Sequence, residues 1–231
     1  IAIDLCNKAL LLNPDNKEGH KILLLSYLAQ NKFEEAGREL DKIISLKGGT
    51  SENYCDWGEM FYSSGKYTYG GRCFDEYLLG EKPDKPELIA KIAGCYEKIP
   101  EKKKAAEQYI KLGNIYFKNK DLKKAEDVFN SALKLDEDNI QAKTGLVRCY
   151  LNMGKYLNAA TLLDTLSGNE RKEKEVKALF LECYLQIGRA YMDKDIDRAL
   201  EAYNNALKID KTNISAKEGC ISSYLLKIQA L

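Results

Sequence analysis

Small residues recur in this chain at nearly constant spacing inside apolar, helix-like runs. The successive separations are 34, 34, 55, 34 and 40 residues, between Ala2, Ala36, Gly70, Ala125, Ala159 and Ala199. Four positions after each of them stands an apolar or aromatic residue or a cysteine, and nine positions before most of them stands an aromatic residue. Three sets of positions recurring with the same spacing would rarely coincide by chance, so the sequence indicates a repeat of 34 residues.

Each repeat unit has the apolar spacing of two helices. Leu112 and Tyr116 line a first segment, Ala125 and Phe129 line a second, and the polar stretch 118–121 separates them. We expect a turn there, with Asn119 as the residue that tolerates the left-handed conformation. The spacing predicts two antiparallel helices of about fourteen residues. One such hairpin has too little apolar surface to fold alone, so neighbouring hairpins must share a core.

The unit resembles the tetratricopeptide repeat family. Residues 109–116, followed by Ala125, Phe129, Ala132 and Leu133, follow that family's pattern closely, and residues 51–84 follow it with Gly70 where alanine is usual. The resemblance implies an all-α fold, a right-handed superhelical solenoid of antiparallel helix pairs, and the 55-residue step adds an irregular extra helix near 86–99. It also implies that the chain works by binding protein.

The departures from the 34-residue period predict two arrays. The N-terminal array covers 1–84 as a half repeat 1–16 and repeats 17–50 and 51–84. Residues 85–105 hold the extra helix, which Pro86 begins and Pro100 stops. The C-terminal array, 106–231, comprises repeats 106–139, 140–173 and about 178–213, and a terminal helix 214–229 that would cap the array. We expect the unpaired extra helix to change the superhelical direction; the alternative is a degenerate repeat that packs as its neighbours do.

Composition excludes several classes of protein. The 36 lysines and arginines balance 35 aspartates and glutamates, so a net charge of +1 gives no field toward nucleic acid or anionic lipid. No apolar run has the roughly twenty residues of a membrane span. Seven cysteines, an odd number without a CxxC pair, indicate reduced thiols and a cytoplasmic location. The first residues resemble neither a signal peptide nor a natural start, so we expect a fragment of a longer soluble protein.

No group of residues indicates catalysis, a metal or a cofactor. The single histidine, His20, has no neighbouring cysteine in the helical pattern, and we expect it to be packed and hydrogen-bonded. Cys95 and Cys149 precede tyrosines where the family has a small residue, so we interpret them as core fillers. The mixed-sign segment 171–175 is interpreted as an exposed start to the next helix rather than a basic site. We therefore expect no enzyme.

The resemblance implies that the first helix of each repeat lines the concave face of the superhelix through its second, fifth, ninth and twelfth positions. The partner-binding candidates selected from these positions are Lys21, Leu25, Leu28, Glu59, Tyr62, Asn114, Phe117, Arg148, Leu151, Arg189 and Met192. Such a lining suits an amphipathic helix or an extended peptide with apolar anchors. The alternative is that the large apolar members only complete packing between repeats.

The sequence favours a protein-interaction scaffold, a segment that binds a peptide or a partner subunit within a multi-subunit assembly. A second hypothesis is a co-chaperone-type receptor for a peptide tail, since chaperone-binding family members grip a terminal carboxylate with lysines, asparagines and an arginine. Asn114 and Arg148 fit that clamp, but Leu25, Ile110 and Gly145 stand where it needs polar side chains. A third is part of an enzyme whose catalytic region lies outside these residues.

Overall fold

The computed structural model describes residues 2–229 as helices joined by short turns, with no strand in that range. The chain divides into two compact units, Ile1–Gln108 and Tyr109–Leu231. The α-helices are α1 (Ala2–Leu12), α2 (Lys17–Ala29), α3 (Phe33–Ser45), α4 (Ser51–Ser63), α5 (Tyr67–Gly80), α6 (Pro86–Lys98), α7 (Lys102–Lys118), α8 (Leu122–Leu135), α9 (Ile140–Asn152), α10 (Tyr156–Asp164), α11 (Lys174–Tyr191), α12 (Ile196–Ile209) and α13 (Ile214–Gln229). The predicted all-α class and its extra helix are confirmed. No helix among these residues combines the length and hydropathy that a bilayer crossing requires.

Helix starts follow from local chemistry. Asn16, Asn139 and Asn213 precede α2, α9 and α13, and each side-chain oxygen accepts a hydrogen bond from the backbone N–H three residues on, at 2.8, 3.0 and 3.0 Å. Asp195 does the same before α12, at 3.1 Å. These caps satisfy backbone donors that the first turn of a helix leaves without a partner. The asparagine and aspartate spacing therefore determines where the helices begin.

The turn between the two helices of a repeat places one residue in the left-handed region. Asn31, Gly65, Lys120 and Gly154 have φ of 56°, 71°, 64° and 73°. The prediction that Asn119 takes this conformation is wrong by one residue, because hairpin geometry selects a fixed position in the repeat rather than the most tolerant residue nearby. Lys120 carries the steric cost of that position.

The aromatic ring of a second helix fills the gap that glycines leave in two first helices. In unit 2 the Phe129 ring of α8 lies between α7 and α9. A Cβ built at Gly113 would approach that ring to 2.8 Å, and one built at Gly145 to 2.5 Å. Tyr203 of α12 has the same relation to Gly188 and Gly219, at 2.6 and 2.4 Å. The same ring-in-gap packing thus occurs at two places in unit 2.

The extra helix α6 packs against both helices of the preceding repeat in unit 1, α4 and α5. Lys91 of α6 forms an ion pair with Glu59 of α4, and Cys95 Sγ donates to the carbonyl of Tyr67 at the start of α5, 3.1 Å away. Cys183 of α11 makes the corresponding bond to Tyr156 at the start of α10, 3.3 Å away. Toward the preceding repeat, α6 therefore makes the contacts that a first helix makes.

The segment before α11 is more ordered than an exposed helix start. Residues Glu170–Lys172 form a 3-10 turn, and α11 begins at Lys174. The guanidinium of Arg171 folds back over the Phe180 ring, 5.4 Å from its centroid, and donates to the carbonyls of Leu166 and Asp164 at 2.8 and 2.5 Å. Residues 171–175 are exposed, as predicted, and the carbonyl groups at the end of α10 hold the Arg171 side chain in place.

The terminal helix α13 does not have the polar outer surface of a cap. Ile221, Leu225 and Ile228 are 59%, 55% and 66% exposed and share one helix face. Val147, the residue of α9 that corresponds to Ile221, is fully buried in a core that includes Ala159 of α10. The expectation of a cap is therefore wrong, since a capping helix presents polar residues to water.

Candidate protein-binding surfaces

In unit 2, the predicted candidates lie along the first helices and keep part of their surface exposed. Phe117, Leu151 and Met192 are half-buried, and the last two pack against core clusters with their inner edges. The Sδ of Met192 accepts a hydrogen bond from Ser223 Oγ of α13 at 3.5 Å, which fixes the thioether against the neighbouring helix. Each of the three side chains thus contributes to packing and still presents apolar surface to water.

Polar groups stand beside these apolar residues. Asn114, Arg148 and Arg189 are exposed. Arg148 Nη2 donates to Glu175 Oε1 of α11 at 2.7 Å, an exposed ion pair between two first helices. This pairing could not be predicted from the sequence, because Glu175 belongs to a mixed-sign segment in which every charge has a local partner available. We call the six residues Asn114, Phe117, Arg148, Leu151, Arg189 and Met192 the first-helix face.

In unit 1, two of the candidates on α2 remain accessible and one does not. Leu25 is 46% exposed, and Lys21 is half-buried with its ammonium group 3.5 Å from Glu18. Leu28, however, is 5% exposed and belongs to the core formed with α3 and α4. Leu28 occupies the twelfth position of its helix, which is predicted to line the concave face, but in this structure its side chain lies in the core. It offers almost no surface to a partner.

The two candidates on α4 are covered by α6. The carboxylate of Glu59 is paired with Lys91, and a Cβ at Gly94 would lie 3.1 Å from the hydroxyl oxygen of Tyr62. The Tyr62 ring also packs edge-on against Tyr67, with 5.5 Å between centroids. These contacts leave Glu59 and Tyr62 half-buried, so only part of each side chain is accessible to a partner.

The histidine and the cysteines have structural surroundings. His20 is buried; its Nε2 donates to the Pro14 carbonyl at 2.8 Å, and its Nδ1 lies 2.6 Å from Glu39 Oε2. The prediction of a packed, hydrogen-bonded histidine is confirmed. Cys95 and Cys149 are fully buried, and burial raises the pKa of these thiols to about 12 and about 11, the reverse of nucleophile activation. Among residues 2–229, no three metal-binding side chains converge on one point.

Two positions where the carboxylate clamp needs polar side chains hold Ile110 and Gly145, and the structure leaves no room for polar side chains there. Ile110 is buried at 5% exposure. The Cβ of any side chain at position 145 would overlap the Phe129 ring, 2.5 Å away. An asparagine there could be accommodated only by moving a fully buried ring. The geometry of unit 2 therefore does not provide the polar clamp of a terminal-carboxylate receptor.

The fold and these surfaces define a protein built from repeated helix hairpins. Two family models, both described as tetratricopeptide repeat, match residues 116–181 and 181–213. Residues 116–213 therefore match the tetratricopeptide repeat family. Tetratricopeptide repeats form a protein-interaction module that is generally a non-catalytic scaffold, and proteins of this family bind proteins or peptides.

Two relatives have similar sequences. Stress-induced-phosphoprotein 1 of Caenorhabditis elegans is 24% identical over 232 residues, an alignment that covers 92% of this chain and 68% of the relative. Heat shock protein STI1 of Saccharomyces cerevisiae is 29% identical over 117 residues, 49% of this chain and 18% of the relative.

Solved structures with similar folds are also tetratricopeptide repeat proteins. The C-terminal part of such a protein from Cytophaga hutchinsonii has 17% identity and a TM-score of 0.43, covering 94% of this chain and 92% of that one. YrrB, described as having an unusual peptide-binding site, has 17% identity and a TM-score of 0.36, covering 92% of this chain and 96% of that one.

Proposed function

We propose that this chain is a scaffold segment that binds an amphipathic helix or an extended peptide on the first-helix face of unit 2. The main support for this proposal is a set of half-buried apolar side chains, Phe117, Leu151 and Met192. Exposed polar residues accompany them on the same helices: Asn114, Arg148 and Arg189. Apolar groups of a ligand would remove the remaining surface of the apolar side chains from water, at about 25 cal/mol per Å². This is the pattern by which helical and extended peptides are held in grooves.

The charged residues would then select the ligand's polar side. The Arg148–Glu175 pair is exposed, and exposed pairs contribute at most about 1 kcal/mol, so a ligand carboxylate could take the place of Glu175 at little cost. Arg189 offers a planar, five-donor group for a second carboxylate. We therefore expect a ligand with apolar residues on one face and acidic residues along its edge.

A co-chaperone-type receptor is the second candidate. It is favoured by the names of the relatives, a heat shock protein and a stress-induced phosphoprotein. It is disfavoured by the buried Ile110 and by the steric closure at Gly145. One measurement distinguishes the two candidates. A receptor of this type needs a free terminal carboxylate, so amidation of the peptide's C-terminus would abolish binding. A peptide bound to the first-helix face would bind equally well with or without the amide.

We also propose that the chain is cytoplasmic, that it belongs to a larger assembly, and that it has no catalytic activity. Seven unpaired thiols support a reducing compartment, and the raised pKa of the buried Cys73, Cys95, Cys149 and Cys183 disfavours a thiol nucleophile.

Site-specific photo-crosslinking tests the face directly. A photoreactive amino acid is introduced in cells at Asn114 or Arg189, and, as matched exposed controls on second helices, at Lys134 or Asn204. We expect one partner to be captured from the first two positions only. The purified partner should then bind Arg189→Glu at least tenfold more weakly than Arg38→Glu, which makes the same charge change on α3. Capture confined to the second-helix positions would refute the proposal.

A further inference from the structure

A separate cavity of about 390 Å³ lies in unit 2 between α11, α12 and the 3-10 turn that precedes α11. The side of α11 contributes Lys177, Phe180 and Tyr184, α12 contributes Asn205 and Lys208, and the 3-10 turn contributes Arg171. None of the first-helix face residues lines it. The lining contains three cationic groups and two aromatic rings and no carboxylate.

Arg171 is held in place by the protein itself. Its Nε and Nη2 donate to the carbonyls of Leu166 and Asp164, and its guanidinium stacks 5.4 Å from the Phe180 centroid. Its own ion-pair partner, Asp164, is 3.7 Å away, beyond hydrogen-bond distance. An arginine fixed in this way loses little conformational entropy when an anion binds.

The two lysines complete a basic end. Lys177 and Lys208 are exposed, and the Lys208 ammonium group donates to Asn205 Oδ1 at 2.9 Å, a neutral partner that leaves its charge uncompensated. The turn, α11 and α12 thus bring together cations that are 6 and 31 residues apart in sequence. This juxtaposition is the reason why the segment around Arg171 could not be interpreted as basic from its own mixed-sign residues.

A second cavity, of about 260 Å³, lies next to the first and shares the lining residues Tyr184 and Asn205 with it. This part is lined by Leu157 and Ile187 and by the carboxylates of Asp164 and Glu201, with Arg198 among them. The combined groove therefore has a basic end, an aromatic and aliphatic floor, and an end of mixed charge. An extended ligand would be oriented with its negative charge at the basic end.

We propose that the basic end binds an acidic peptide segment, with one apolar side chain on the half-buried Tyr184 ring and flanking carboxylates against Arg171, Lys177 and Lys208. The occupant follows from charge complementarity: no carboxylate lies within hydrogen-bond distance of Arg171 or Lys208 among the contacts described above, and ligand carboxylates would form charge-assisted hydrogen bonds with all three cations. The site is independent of the first-helix face and binds a second segment, either of the same partner or of another.

The test uses the whole chain and a fluorescein-labelled peptide, Glu-Glu-Leu-Glu-Glu, with Gln-Gln-Leu-Gln-Gln as the uncharged control. Binding is measured by fluorescence anisotropy at low and at physiological salt. The double variant Lys177→Glu/Lys208→Glu should weaken binding of the acidic peptide at least tenfold. The control Lys123→Glu/Lys134→Glu, the same change on exposed lysines of α8, should alter it less than twofold. Both double variants change exposed side chains only, and circular dichroism verifies that they are folded.

Three results would overturn the proposal. One is the absence of saturable binding up to about 1 mM peptide, which corresponds to about −4 kcal/mol. Another is equal affinity for the glutamine peptide. The third is loss of binding in Arg189→Glu with no loss in Lys177→Glu/Lys208→Glu, which would place the acidic peptide on the first-helix face. Affinity that falls as salt increases, together with an unaffected Arg189→Glu, is the supporting outcome.

Discussion

Substitution of Gly145 by alanine tests the ring-in-gap packing of unit 2. The added Cβ would lie 2.5 Å from both Cε1 and Cζ of Phe129, about 1 Å closer than ordinary carbon contacts allow. The ring cannot simply retreat, because it lies against the other first helix, where a Cβ at Gly113 would be 2.8 Å away. Either the ring leaves its position or α9 separates from α8.

Two opposing effects set the magnitude. In a helix interior, replacing glycine by alanine ordinarily stabilises by about 0.5–1 kcal/mol through backbone entropy. Forcing an extra carbon into a well-packed core costs about 1–3 kcal/mol. Since the Phe129 ring is fully buried, we expect the packing cost to exceed the propensity gain and the variant to be destabilised by about 0.5–2 kcal/mol. For a chain of this size that lowers the melting temperature by a few degrees.

The assay is thermal unfolding followed by circular dichroism, with Gly168→Ala as the control. Gly168 lies in the turn after α10, and a Cβ there meets no atom within 4 Å, so its replacement should change stability by less than about 0.5 kcal/mol. If Gly145→Ala raised the melting temperature, propensity alone would account for it and the steric argument would be refuted. In a Phe129→Leu background the cost of the alanine should shrink, because the two sites share one contact.

Three further predictions concern stability, each checked by urea denaturation. Lys120→Gly should stabilise by about 0.5–1 kcal/mol, because it relieves the left-handed conformation of lysine, whereas Asn119→Gly should not; equal effects would contradict the assignment of the turn. His20→Ala should cost about 1–3 kcal/mol, since it removes a buried imidazole and its hydrogen bonds to the Pro14 carbonyl and the Glu39 carboxylate, and an unchanged midpoint would show that those bonds are not formed. Val147→Asp should unfold unit 2, because it buries an unpaired charge, while Ile221→Asp at the corresponding position of α13 should be tolerated; comparable losses would mean that α13 is covered in solution.

The helices of this chain could be predicted from sequence because their determinants are local. Asn16, Asn139 and Asn213 cap the helices that follow them through bonds spanning three residues. Pro86 begins α6 for the same kind of reason, since its fixed φ suits a first helical turn. The recurrence of small and apolar residues at 34-residue spacing indicated stacked helix hairpins, because each repeat contacts its neighbour in the same way.

What only the tertiary structure decided depends on residues far apart in sequence. That α6 covers Glu59 and Tyr62, that Leu28 is buried, and that Glu175 binds Arg148 all follow from the orientation of neighbouring helices, which a one-dimensional pattern does not contain. The same holds for the cationic cavity, because the charges of Lys177 and Lys208 combine only when α11 and α12 pack side by side. Capping and periodicity act over a few residues and can be read along the chain, whereas exposure and charge clustering are properties of surfaces that exist only after packing.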